Sequence, residues 1–176
     1  MAFGAYAELC KFVDSPNPIM NKLGLTVKTR NGITKAMMML DTKQSGVKLI
    51  TSQAQRVTLP RLFDAVFQLL FLQSVVASGA STSVSAFVLD FSDAFWQPPI
   101  SPAEQKYFCA TGLIIEQRKL MSFQRALQGS TASPTLWGRL AALVMRLTQS
   151  LVDPNEARLV CNVDDPLAAL RGTEEE

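Results

Sequence analysis

Two short apolar runs that end in carboxylates constrain the fold more than any other feature of this chain. The first reads Val84-Ser85-Ala86-Phe87-Val88-Leu89-Asp90-Phe91-Ser92-Asp93-Ala94-Phe95, and the second reads Arg158-Leu159-Val160-Cys161-Asn162-Val163-Asp164-Asp165. Each has the length of one strand and then turns. An unpaired charge is costly to bury, so adjacent carboxylates at the tip of an apolar strand need a reason to be there. Hard divalent cations take oxygen ligands, and they supply one. Neither run is informative without the other.

Composition bounds the rest. The 176 residues suffice for one ordinary domain with a real core. The net charge of +2 is unevenly spread. Residues 1–64 carry nine Lys and Arg against four Asp and Glu, residues 65–89 carry no charge, and residues 90–176 carry eight against eleven. A basic first third before an acidic centre suits a protein that guides polyanions toward a cation site, although charge samples this small also fluctuate by chance.

The chain has no histidine, which excludes His-based general-base catalysis and His-ligated zinc. Cys10, Cys109 and Cys161 show no metal-binding spacing, and their odd number argues against a disulfide framework. No signal peptide is expected from the first residues, so the expected compartment is intracellular, cytoplasmic or nuclear. The uncharged run from Ala65 to Leu89 is long enough to raise the question of a membrane span. Its second half is broken by Ser74, Ser78, Gly79, Ser81, Thr82, Ser83 and Ser85, so it reads as two elements joined by a loop. No transmembrane helix is expected.

Punctuation organises the chain. Residues 1–32 show turns at 14–18 and at Asn31-Gly32 but no clear period. Ile33 to Asp41 reads as a strand, with Gln44-Ser45-Gly46 as a turn. Pro60 suits a helix first turn, and a helix to about Ser78 follows, with apolar residues around most of its surface as in a core helix. Gly79 to Ser83 is a loop, Val84–Phe91 a strand, and Ser101-Pro102-Ala103-Glu104 a capped helical turn. Tyr107–Thr111, Leu113–Glu116 and Lys119–Phe123 are extended pieces of a hairpin. Ser133-Pro134 opens a second long helix that Asp153-Pro154-Asn155 ends, and Arg158–Val163, a turn at Asp164-Asp165 and Pro166–Leu170 form a strand–turn–strand unit.

Four blocks in order resemble the reverse transcriptase domain of retrotransposon-like elements, over about residues 33–172. Leu89 to Ile100 resembles the family's strand ending in Asp-x-x-Asp-Ala-Phe before a proline segment. Leu127-Gln128-Gly129-Ser130-Thr131-Ala132-Ser133-Pro134 is similar to its Gln-Gly loop, and Val163-Asp164-Asp165 to its terminal double aspartate. Leu40 to Val47 and Leu59-Pro60-Arg61-Leu62 look like part of its fingers.

The resemblance implies an α+β polymerase palm-and-fingers fold, with an antiparallel palm sheet backed by helices. Its divisions would be an unassigned segment 1–32, a fingers-like part 33–83, a palm-like part 84–172 and an acidic tail 173–176. It further implies DNA synthesis on an RNA or DNA template with primer, from deoxynucleoside triphosphates. Two Mg2+ ions, with Mn2+ as an alternative, would be held by Asp90, Asp164 and Asp165 as catalytic ligands and by the Phe91 carbonyl. Phe95 would lie under the sugar of the incoming nucleotide, or serve as a core aromatic. Asp93 and Ala94 would offer backbone N–H groups to the triphosphate, although Asp93 equally suits a turn carboxylate. Gln128 and Gly129 would contact the nucleotide, with a plain helix-entry loop as the other reading of Gly129. Lys35 is the candidate triphosphate contact in the fingers, and Arg56 and Arg61 are weaker candidates for template phosphates.

The chain departs from the family at three positions. Asn162 stands where an aromatic, most often Tyr, precedes the double aspartate, and Met37 stands where many members carry an arginine that clamps the triphosphate. A thioether cannot replace that charge-assisted, bidentate contact. Lys48 replaces a frequent Asn. The sequence given runs eleven residues past Asp165, and the resemblance implies that a primer grip, a thumb and an RNase H region would belong to a longer polyprotein. Two expectations therefore stand side by side: an RNA-directed DNA polymerase, or an inactive remnant that at most binds nucleic acid.

Overall fold

A computed structural model describes residues 1–52, 58–76, 82–114 and 117–172. The expected end of the first long helix near Ser78, most of the loop that follows it, Glu116, Arg56 and the acidic tail lie outside the described residues. The fold is α+β, and the chain divides into two compact units. Met1–Gln55 with Phe95–Leu136 form the first, and Arg56–Ala94 with Trp137–Glu176 form the second.

The first unit is built on a five-stranded sheet. Its strands are β1 (Ala2–Phe3), β2 (Met20–Arg30), β3 (Ile33–Asp41), β5 (Cys109–Ile114) and β6 (Gln117–Ser122), in the order β1-β6-β5-β2-β3. The β2–β3 hairpin turns at Asn31 and Gly32, with φ of 52° and 76°. Two consecutive positive φ values define the tight turn that matches strand twist, and Asn-Gly adopts it at little cost. Its register runs from Lys22 opposite Asp41 to Arg30 opposite Ile33. Helix α1 (Tyr6–Phe12) is held at its start by the Glu8 carboxylate, which accepts the Gly4 and Ala5 N–H groups. Leu9, Val13 and Cys109 form one small core, and Leu40, Ala110 and Leu127 form another. The short helix α2 (Val47–Ile50) follows Gly46, whose φ is 81°.

The second unit is a three-stranded antiparallel sheet in the order β4-β8-β7, made of β4 (Ser83–Val88), β7 (Ala157–Asn162) and β8 (Asp165–Gly172). Helix α3 (Leu62–Ser74) packs across all three strands. Ala169 of β8, which stands opposite Ala86 of β4, is fully buried. The Arg158 guanidinium lies 4.1 Å from the centre of the Phe71 ring. Helix α4 (Ser133–Ser150) begins in the first unit and continues in the second. Its Gln149 side chain donates to the Ala157 carbonyl and accepts the Leu159 N–H, so it occupies backbone groups of β7.

Several expectations need correction. Pro60 precedes the helix and does not occupy its first turn. Arg61 is the N-cap, its N–H bonded to the Asp64 carboxylate at 2.6 Å. Nor is α3 a core helix: Leu72 is fully buried, but Leu62 and Phe63 are 82% and 73% exposed. The sheet covers only one side of the cylinder, so residues apolar all round leave an apolar face open to solvent. The turn expected at Asp164-Asp165 sits one residue earlier, on Val163 and Asp164, because Asn162 pairs with Asp165. The segment 1–32, without clear period in sequence, contains β1, α1 and β2.

Candidate metal-binding site at the β4 end and the β7–β8 hairpin

The carboxylates of the second unit are brought together by strand register. In the β4–β8 ladder Val88 stands opposite Leu167, and beyond it the Leu89 N–H donates to the Pro166 carbonyl and the Phe91 N–H to the Asp164 carbonyl, both at 2.8 Å. Asp90 therefore stands opposite Asp165, in the kind of pair that exchanges no backbone hydrogen bonds and brings side chains closest. The Asn162–Asp165 pairing adds Asn162 to the same row. Alternation along strands sends Asp90, Asp165 and Asn162 to one side of the sheet, the side that carries Val88, Leu167 and Val160.

A cavity of about 220 Å³ opens on that side, lined by Asn162 and Asp165 together with Arg61 and Leu62 at the start of α3. Asp90 and Asp165 are exposed, and Asp164 is half-buried. Two carboxylates directly opposite each other repel, which is a local cost that a bound cation removes. Arg61 on the cavity wall is itself a cation and offsets part of that field.

The hairpin tip is fixed from behind. The Trp137 indole N–H donates to the Val163 carbonyl at 2.6 Å, and the Trp137 ring meets the Phe91 ring edge-on at 5.1 Å. The Cys161 thiol also points to the Val163 carbonyl, at 3.5 Å. Burial, reinforced by the Asp164 and Asp165 carboxylates, raises the pKa of Cys161. Val163 has φ of 59°. A β-branched residue rarely adopts this left-handed conformation, so the tip is held under local strain.

The donor chemistry of this row suits a hard divalent cation, and Asp90 with Asp165 would hold it. The fit is partial. Among the described residues, no three His, Cys, Asp or Glu side chains are grouped to hold a metal ion. Asp164 occupies the turn and not the row shared by Asp90 and Asp165.

The other residues singled out in sequence are distributed as follows. Asp93, with φ of 51°, and the buried Ala94 belong to the tight turn after Phe91, in the second unit. Phe95 is half-buried in the 3₁₀ turn Ala94–Trp96. Gln128 and Gly129 lie in the first unit against the end of β3, where the Gln128 carbonyl accepts the Leu40 N–H at 2.9 Å and the Gly129 carbonyl accepts the Thr42 hydroxyl at 3.2 Å. The close approach that requires a glycine at 129 is to Leu40: a Cβ there would lie 2.3 Å from the Leu40 carbonyl oxygen. Lys35 is exposed on β3, opposite Lys28. Sequence reading missed a lysine-lined cavity in this unit, formed by Lys22, Lys43 and Lys48. The alternation of Leu23, Leu25 and Val27 before Asn31-Gly32 was the available signal for β2, the strand that carries Lys22.

No helix among the described residues is long and apolar enough to cross a membrane. No protein-family model matches the chain, and no match is found among curated proteins.

Proposed function

We propose that the second unit is the metal-dependent core of a reverse-transcriptase-like nucleotidyltransferase, which extends a primer on a nucleic-acid template. One observation carries this reading: Asp90 and Asp165 face each other across the β4–β8 ladder beside a strained, tryptophan-braced hairpin tip. A like-charged pair in the closest cross-strand position favours a cation, and such strain is commonly kept where function needs it. When bound, a divalent ion would lower the barrier by stabilising charge on the attacking and leaving oxygens. The chain's own part is to hold Asp90 and Asp165 in register, the Phe91 N–H bond to the Asp164 backbone carbonyl fixing the end of β4 against the hairpin tip. Lys35, Phe95, Gln128 and Gly129 belong to the first unit and enter this reading through the sequence resemblance alone.

A second reading is an inactive descendant of such an enzyme that at most binds nucleic acid. It is favoured by the ungrouped third aspartate, by Asn162 in the acidic row and by Met37 in place of a guanidinium.

Primer extension on an RNA template with magnesium separates the two, with Asp90→Asn and Asp165→Asn variants as controls. Under the first reading the parent extends the primer, and each variant loses roughly a hundredfold or more. Lack of extension by a parent shown to be folded by circular dichroism would leave the descendant reading standing.

A further inference from the structure

A cavity of about 400 Å³ lies within the first unit and shares no lining residue with the lysine-lined one. It is walled by α2, by the 3₁₀ turn Pro102–Tyr107 and by the loop that leads into α4. Local spacing sets the walls. In a 3₁₀ turn residues three apart eclipse, so Glu104 and Tyr107 stand on one side of it. Val47 and Ile50 have the same spacing on α2, which places them on one face. The buried Ile100 and Ala126 add to the apolar interior. Their segments are fixed to each other by two backbone bonds, from the Ile100 N–H to the Gln124 carbonyl at 2.9 Å and from the Ala126 N–H to the Pro98 carbonyl at 2.8 Å.

The polar groups in this lining divide into two kinds. The Ser133 hydroxyl is engaged with the Leu127 backbone, and the Thr51 hydroxyl donates to the Val47 carbonyl at 2.8 Å. Ser130 differs: it is only 8% exposed, and its hydroxyl has no hydrogen-bond partner among the described residues. A buried hydroxyl left in that condition costs free energy that a ligand atom recovers. Glu104 is the one charged side chain among the described lining residues, and no described Lys or Arg pairs with its carboxylate. Lys106, the nearest basic residue in sequence, sits over the Tyr107 ring at 5.4 Å from its centre and does not line the cavity.

We propose that this cavity binds a small organic ammonium ion, with the apolar body among Val47, Ile100 and Leu136 and the charged nitrogen paired with Glu104, the Ser130 hydroxyl serving as a further acceptor. The volume is within the range of small-molecule sites, which are mostly apolar with a few polar groups that fix orientation. A single carboxylate against apolar walls selects the charge of the ligand: a neutral molecule leaves it desolvated and unpaired, and an anion is repelled. The site lies in the first unit, and neither the metal reading of Asp90 and Asp165 nor nucleic-acid binding enters into it.

The test is a ligand-observed NMR titration of the full chain with 2-phenylethylamine at neutral pH, beside 2-phenylethanol, phenylacetate and ethylamine. The amine should bind more tightly than the alcohol, and phenylacetate and ethylamine should bind at least tenfold more weakly. E104Q should raise the Kd for 2-phenylethylamine about tenfold and S130A about threefold, while E104D keeps the charge and stays within about threefold of the parent. A132L narrows the cavity and should weaken amine and alcohol alike. Should A132L fail to fold, E104Q still decides, because Glu104 is exposed and its replacement leaves the packing intact. Equal Kd values for the parent and E104Q overturn the proposal. So does phenylacetate binding as tightly as the amine, ethylamine doing the same, or no binding of 2-phenylethylamine by a parent shown to be folded. D90N and D165N should bind the amine as the parent does, so failure of the polymerase reading and failure of this one are distinguishable.

Discussion

The indole N–H of Trp137 reaches the Val163 carbonyl at 2.6 Å and ties a 3%-exposed side chain of α4 to the tip of the acidic hairpin. The bond fixes the turn that sets the Asn162–Asp165 pairing, and with it the row that contains Asp90. Trp137→Phe keeps an aromatic ring against Phe91 but leaves the carbonyl without this donor. The expected cost is about 1–3 kcal/mol of stability, read as a lower denaturant midpoint at unchanged slope. An unchanged midpoint would mean that the tip is held by other contacts.

Val163 itself is expected to be a destabilising residue kept in place. A left-handed conformation costs an L-residue roughly 1–2 kcal/mol, and glycine avoids that cost at the expense of greater chain entropy. Val163→Gly should therefore raise stability slightly, by up to about 1 kcal/mol. If the strain serves the site, the same variant weakens divalent-cation binding, measured by thermal shift against Mg2+ or Mn2+.

Gly129 presents the opposite case. With φ of 97° and a Cβ position 2.3 Å from the Leu40 carbonyl oxygen, Gly129→Ala forces either the loop or the end of β3 to move. A loss of about 2 kcal/mol or more is expected from strain and steric overlap together. Calorimetry of the variant checks this, and a melting temperature equal to the parent's would refute the close approach.

The Asp90–Asp165 pair predicts a trade-off between stability and binding. Removing one charge relieves a cross-strand repulsion, so Asp165→Asn should be more stable than the parent by roughly 0.2–1 kcal/mol at low salt without metal. Added Mg2+ or Mn2+ should then stabilise the parent, by about 2.7 kcal/mol at a hundredfold excess over Kd, with much less effect on the variant. Chelation by EDTA should return the parent to its starting melting temperature.

Cys109 gives a pH dependence with a definite sign. Burial raises its pKa above the ordinary thiol value, and its thiol donates to the Gln105 carbonyl at 3.4 Å. The folded state therefore keeps its proton at pH values where the unfolded chain releases it. This contribution to stability is fully present below the ordinary thiol pKa of about 8.5 and is lost as pH rises through the folded value. Denaturation midpoints should fall above pH 9, and Cys109→Ser should reduce that fall. Thiol labelling of the native protein near neutral pH should reach Cys10 well before Cys109.

Much of the element pattern was legible in the residues. The strand expected over Ile33 to Asp41 is β3, residue for residue, because Asn31-Gly32 makes a tight reversal that sets Ile33 directly opposite Arg30. The helix opened by Ser133-Pro134 begins at Ser133, whose hydroxyl both accepts the Leu127 N–H and donates to the Leu127 carbonyl. The N-terminal segment was less legible. The two residues of β1 are held by β6, with Ala2 opposite Met121, and no local pattern announces a partner so distant in the chain.

For the candidate site, the sequence alone determined that carboxylates end two apolar strands, since composition and alternation are local properties of the chain. Which carboxylates share a side was decided by tertiary structure. The alignment of β4 on β8 sets Asp90 against Asp165, and the two-residue turn at Val163 and Asp164 leaves Asp164 out of that row. Register is a relation between distant segments, and a shift of one residue would send the opposite set of side chains to the cavity. The lysine face of the β2–β3 hairpin arises in the same way: the lysines are visible in the sequence, but their shared side exists only once Lys28 is paired with Lys35 and Lys22 with Asp41.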